Sequence, residues 1–168
     1  MTGPSLYIAS DHAGFRLKSH LLASFPSLPW VDLGPASADR VDYPDFADRV
    51  ASKVRAAKNS GSAAEPVGGG FLPLVAAGRL TAAAGVLICG SGQGMAMRAN
   101  RYPEIRAALG WSEEAARLAR AHNDANILCL GERLTDPALA PRILEAFLAQ
   151  PFEGGRHIGR VAKLDAPF

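Results

Sequence analysis

The run Val86-Leu87-Ile88-Cys89-Gly90-Ser91-Gly92-Gln93-Gly94-Met95-Ala96-Met97-Arg98-Ala99-Asn100 decides how this chain is read. Aliphatic and β-branched side chains fill its first three positions, which predicts a short buried strand. The strand ends on a cysteine. Glycines then alternate over Gly90, Gly92 and Gly94, with Ser91 and Gln93 between them. Met95-Ala96-Met97 favours helix. A strand, a glycine loop and a helix start together present several backbone N–H groups to an anion. Cys89 would face the same cavity as those donors. On this stretch alone two readings stay open: a packed, inert thiol, or a reactive one whose thiolate the N–H groups stabilise.

The flanking sequence repeats the strand-then-helix rhythm. Leu6-Tyr7-Ile8-Ala9 reads as a buried strand that ends at Ser10-Asp11-His12-Ala13-Gly14, and a helix is expected from about Phe15 to Ala23. Asp11 and His12 then sit on a strand-to-helix turn, the usual functional edge of an open α/β sheet. Asp11 also suits a plain helix cap. Trp30-Val31-Asp32-Leu33 reads as a second strand. Asp42-Tyr43-Pro44-Asp45 opens a helix whose Phe46, Val50 and Val54 face the core. Tyr43 has two readings, core or cavity lining.

Beyond the glycine loop, Ile105 to Leu109 predicts a fourth strand. Ser112-Glu113-Glu114 caps a helix expected to run to about Ala121, and His122-Asn123-Asp124-Ala125-Asn126 ends it. Ile127-Leu128-Cys129-Leu130 is a fifth strand, followed by Gly131-Glu132-Arg133. A last amphipathic helix is expected near Pro137. In the glycine-rich tail, Arg156 and Arg160 lie four residues apart and share a face if the tail is helical. The tail reads either as a solvated basic end or as a phosphate clamp. Residues 59–73 are rich in Gly, Ser, Ala and Pro without a period, and predict a flexible insertion within one domain spanning 1–168.

Five strand–helix alternations predict an α/β, Rossmann-like three-layer αβα sandwich with a mainly parallel five-stranded sheet. A switch point between strands one and three would gather Asp11, His12, Cys89 and the glycine loop in one crevice. That convergence favours a functional Cys89.

Composition narrows the classes. The chain has 168 residues, 48% hydrophobic and 20% charged, as in a soluble globular domain. A net charge of +2 is too small to imply nucleic acid. Cys89 and Cys129 form no disulfide framework and no zinc spacing. Neither a signal peptide nor a membrane span is legible, so a reducing cytoplasm is the expected compartment.

Five segments resemble one known family, ribose-5-phosphate isomerase type B with the related galactose-6-phosphate isomerase subunits. They are Ser10-Asp11-His12-Ala13-Gly14-Phe15, Asp42-Tyr43-Pro44-Asp45, Leu87-Ile88-Cys89-Gly90-Ser91-Gly92, His122-Asn123-Asp124-Ala125-Asn126 and Gly154-Gly155-Arg156-His157. The resemblance implies an aldose–ketose isomerase working through an ene-diolate, with no metal and no organic cofactor. It implies a homodimer or homotetramer that acts on a small sugar phosphate. Cys89 is then the base at C1 and C2, with Met95 where other members carry a glutamate. His122 is the ring opener. Ser91 adds a hydroxyl donor to the catalytic group. Asp11, His12, Tyr43, Gly90, Gly92, Gln93, Gly94, Asn123, Arg133, Arg156 and Arg160 are implied to bind substrate. The site is implied to lie between subunits, with His122, Asn123 and Arg133 serving the partner's Cys89. The intact His-Asn-Asp sequence favours a pentose substrate. A six-carbon sugar phosphate and a non-catalytic sugar-phosphate sensor are the alternatives.

Overall fold

The structure is a computed structural model and describes residues 5–59 and 83–166. The expected insertion at 59–73 lies, apart from the backbone of Asn59, outside the described residues. Five strands form one sheet: β1 (Leu6–Ser10), β2 (Trp30–Asp32), β3 (Ala84–Cys89), β4 (Ala107–Leu109) and β5 (Ile127–Gly131). Their order is β2-β1-β3-β5-β4, and every pair is parallel. The helices are α1 (Phe15–Ser24), α2 (Tyr43–Asn59), α3 (Gln93–Ala99), α4 (Glu113–Asn123), α5 (Ala140–Ala149) and α6 (Ile158–Asp165). None of the described helices is long and apolar enough to cross a membrane.

Strand periodicity divides the core between two faces of the sheet. Leu6, Ile8, Val86, Ile88, Leu128 and Leu130 point one way and pack with Leu17, Leu21, Ile143, Leu144 and Phe147 of α1 and α5. Ala9, Leu87, Cys89, Ile127 and Cys129 point the other way and meet Phe46, Val50 and Val54 of α2 and Met95 of α3. This is the expected three-layer sandwich. The sheet is wholly parallel rather than mainly so.

Strand order reverses between β1 and β3, and their carboxyl ends open a crevice there. The chain is closely packed at this point. The amide of Asp11 donates to the Ile88 carbonyl at 3.0 Å. A Cβ on Gly14 would lie 2.4 Å from the same Ile88 oxygen. Backbone cannot yield as a flexible side chain can. Gly14→Ala is therefore expected to lower stability by about 1–3 kcal/mol through forced displacement of β3, read as a fall in the urea midpoint. An unchanged midpoint would show that the turn adapts freely.

Element boundaries differ from expectation in places. α5 starts at Ala140, with Pro141 rather than Pro137 in its first turn. The tail is helical and largely exposed: a 3-10 turn at Gly155–His157 leads directly into α6, with Arg156 and Arg160 exposed. Arg106 anchors it. It is buried, and its guanidinium grips Asp165 of α6 at 2.8 Å and Asp124 at 2.7 Å. Its Nε also donates to the carbonyls of Asn123 and Asp124. These partners lie far apart in sequence, so no local pattern announces them.

Candidate functional site

The crevice holds a cavity of about 440 Å³ lined by Asp11, His12, Tyr43, Cys89, Gly90, Ser91, Gly94 and Arg133, with Ala13 and Leu134. β3 delivers Cys89 to its floor. Cys89 is 5% exposed, and its Sγ accepts the Gly92 amide at 3.1 Å. Gly92 makes this contact at φ +77°, a left-handed conformation that a side chain would strain. A Cβ there would also approach Leu130 backbone at 2.9 Å. The loop is thus held against β5 with an N–H aimed at the Cys89 sulfur.

The other cysteine differs. Cys129 is fully buried, and burial first, then the neighbouring Cys89, pushes its thiol far above the ordinary range. It stays a protonated packing group. Met95 is also fully buried, in the core beneath the loop.

Around the sulfur, Asp11 is buried and its Oδ1 accepts the Gly14 amide at 2.9 Å. Asp11 thus closes the turn before α1 and does not cap the helix itself, whose N-cap is Gly14 with no side-chain cap bond, and the residue faces the cavity. His12 Nδ1 lies 3.1 Å from the Val41 carbonyl, which ties the first turn to the α2 approach. Tyr43 walls the cavity opposite the loop: a Cβ on Gly94 would meet its ring at 2.7 Å. Ser91 is exposed at the rim, and its Oγ accepts the Gln93 amide at 3.4 Å. Gln93 itself faces a smaller adjoining cleft with Trp111 and Thr135.

Arg133 lines the cavity of its own chain. A Cβ on Gly90 would lie 3.4 Å from its guanidinium carbon. The reason is local: the Glu132 and Arg133 amides donate to the Cys89 and Gly90 carbonyls, folding the end of β5 over the glycine loop.

The remaining predicted residues stand elsewhere. His122 and Asn123 end α4, which runs back toward the amino ends of the strands. Cys89 is level with Gly131, whereas β5 begins four positions earlier at Ile127. Along the strands alone the two sites are about 13 Å apart. At this second edge the tail joins His122. The His122 and His157 rings stack with centroids 4.4 Å apart and planes within 6°. Glu153 Oε2 lies 3.7 Å from His122 Nε2 and 3.8 Å from His157 Nε2. Exposed Arg156 and Arg160 flank the pair. Among the described residues the chain therefore gathers the predicted residues in two places: a thiol cavity at the carboxyl ends of the strands, and a basic histidine cluster where α4 ends. Sequence reasoning missed His157 and Glu153 as parts of the second. His157 stood inside a quoted motif, whereas Glu153 carried no signal.

Known proteins resemble this chain over nearly its whole length. The family described as Ribose/Galactose Isomerase matches residues 6–64 and 74–164. A probable ribose-5-phosphate isomerase B of Mycoplasma pneumoniae is 40% identical, with 96% of this chain and 93% of the relative covered. The crystal structure of a ribose 5-phosphate isomerase from Thermotoga maritima superposes with TM-score 0.80 at 39% identity, covering 98% of this chain and 99% of that one. A Mycoplasma genitalium ribose-5-phosphate isomerase B with bound ribulose-5-phosphate gives TM-score 0.80 at 38% identity, covering 98% and 96%.

Proposed function

Since the chain belongs to the ribose/galactose isomerase family, we propose that it interconverts ribose 5-phosphate and ribulose 5-phosphate, with Cys89 moving the proton. The observation that carries the reading is the Cys89 sulfur, set in the cavity floor and accepting the Gly92 amide. In the open-chain aldose phosphate the thiolate takes the C2 proton and gives an ene-diolate. The thiol then returns the proton to C1, while the O2 proton is lost and O1 regains one. No atom or electron enters from outside. Amides of the loop and the Ser91 hydroxyl stabilise the developing oxyanion, at about 3 kcal/mol per well-placed donor. Asp11 and Tyr43 orient hydroxyls, and His12 and Arg133 supply positive charge at the cavity wall.

Ribose 5-phosphate is mostly a closed furanose, so its ring must open first. His122 suits that task because histidine titrates near neutrality and can both take and give a proton. Its distance from Cys89 within one chain supports a site completed by a second copy, whose His122, Asn123, Arg156 and Arg160 face this chain's Cys89. The assembly is then a homodimer, or a tetramer of such dimers. Arg133 belongs to the thiol half of that site. The insertion at 59–73, nine residues of which fall outside the family match at 65–73, is proposed to be dispensable for the chemistry.

The test compares substrates. Purified protein is expected to turn over ribose 5-phosphate with kcat/KM at least about tenfold above that on allose or galactose 6-phosphate. A preference for the hexose would move the assignment to a six-carbon isomerase. Binding without turnover of either would leave a sugar-phosphate sensor.

A further inference from the structure

His157 has no role in the reaction described above, yet it is far more buried than the His122 it stacks on. Its side chain is 7% exposed, against 36% for His122. One ring face lies on His122. Its Nε2 lies 3.4 Å from Arg156 Nε. A guanidinium only donates, so this contact makes His157 Nε2 the acceptor and puts the ring proton on Nδ1. We propose that His157 is a positioning residue with two separable duties: its ring face orients the His122 imidazole, and its Nε2 orients the Arg156 guanidinium.

The surroundings agree. Burial first, then the positive charges of His122, Arg156 and Arg160, pushes the His157 imidazole below the ordinary histidine value, while Glu153 opposes them. A neutral His157 keeps its acceptor nitrogen at working pH. Glu153 Oε2 lies 3.7 Å from the His122 Nε2 and 3.8 Å from that of His157, too far to hydrogen-bond either. A metal ion shared by the two rings does not fit this arrangement. Nitrogen lone pairs lie in the ring planes, and two nearly parallel stacked planes cannot both contain one ion.

The inference rests on reading His122 as ring opener and Arg156 as a phosphate ligand, and two variants separate its parts. His157→Phe keeps a stacking ring and removes the acceptor. His157→Gln keeps an acceptor and removes the ring. Ribulose 5-phosphate supplies the control, because with O5 phosphorylated it has no hydroxyl placed to close a five-membered ring. Its C1 hydrogen exchange with solvent needs no ring opening. His157→Gln is expected to lower kcat on ribose 5-phosphate about tenfold or more while leaving exchange at C1 of ribulose 5-phosphate within about twofold. His157→Phe is expected to raise KM about fivefold for both sugars and to leave kcat nearly unchanged. Equal losses on both sugars in His157→Gln, or no change in either variant, would overturn the inference. His122→Asn is run beside them. If it slows only ribose 5-phosphate while His157→Gln does not, the inference fails and the reading of His122 stands. If His122→Asn spares ribose 5-phosphate, both fail.

Discussion

Cys89→Ala is expected to lower kcat for ribose 5-phosphate isomerisation by about 10²–10⁴-fold, the usual contribution of a positioned proton-transfer group. KM should stay within a few-fold. Asp11, His12, Tyr43 and Arg133 line the cavity independently of the sulfur, so binding survives while the base is lost. No neighbour can replace it. Cys129 is fully buried with its thiol pushed strongly up. Met95 is buried and carries no titratable group. Cys89→Ser should fail nearly as badly, because an alcohol is far less acidic than a thiol. Steady-state kinetics together with isothermal titration of ribulose 5-phosphate separates the two effects. Near-normal turnover in Cys89→Ala would remove Cys89 from the chemistry.

The second large effect is a recovery. If each site joins one copy's Cys89 to the other copy's His122, the two inactive variants complement each other. Cys89→Ala and His122→Asn subunits, mixed equally and allowed to exchange, form half heterodimers. Each heterodimer holds one site with both lesions and one with neither, as two-fold symmetry requires. The mixture should therefore reach about a quarter of wild-type activity from two nearly silent parents. A mixture no better than the mean of its parents, with exchange confirmed by mass spectrometry, would place Cys89 and His122 in sites formed within single chains. That outcome would require His122, which ends the helix leading into the first residue of β5, to reach the opposite end of that strand, where Cys89 is level with Gly131.

How much of this was legible in the sequence differs by region. The strands announced themselves, since β3 and β5 are buried on both faces and read as continuous apolar runs. The switch point followed from the alternation of elements, and with it the meeting of Asp11, His12 and Cys89 in one cavity. β4 was read two residues too long, because Ile105 and Arg106 are buried without joining the strand. The tail was illegible for a different reason. Gly154 and Gly155 look like loop, and both adopt positive φ. The helix after them is held by Arg106, whose bond to Asp165 crosses 59 positions. No window of local pattern contains such a contact. His157 went unassigned on the same account, because its meaning lies in the ring it stacks on, 35 positions earlier in the chain, and in the guanidinium beside it. The place of Arg133 beside its own glycine loop was not legible either, because a strand-end arginine can turn toward that loop or outward, and the amides of Glu132 and Arg133 decide that here.

The central claim is that this chain moves a proton between C1 and C2 of a pentose phosphate through Cys89. Proton NMR of ribulose 5-phosphate in deuterium oxide reads that step without ring opening. Wild-type protein is expected to replace one of the two C1 hydrogens with deuterium, since a single base works from one face. Cys89→Ala is expected to bind the sugar and leave both C1 hydrogens in place. Absence of exchange with the wild type, or undiminished exchange with Cys89→Ala, would contradict the account.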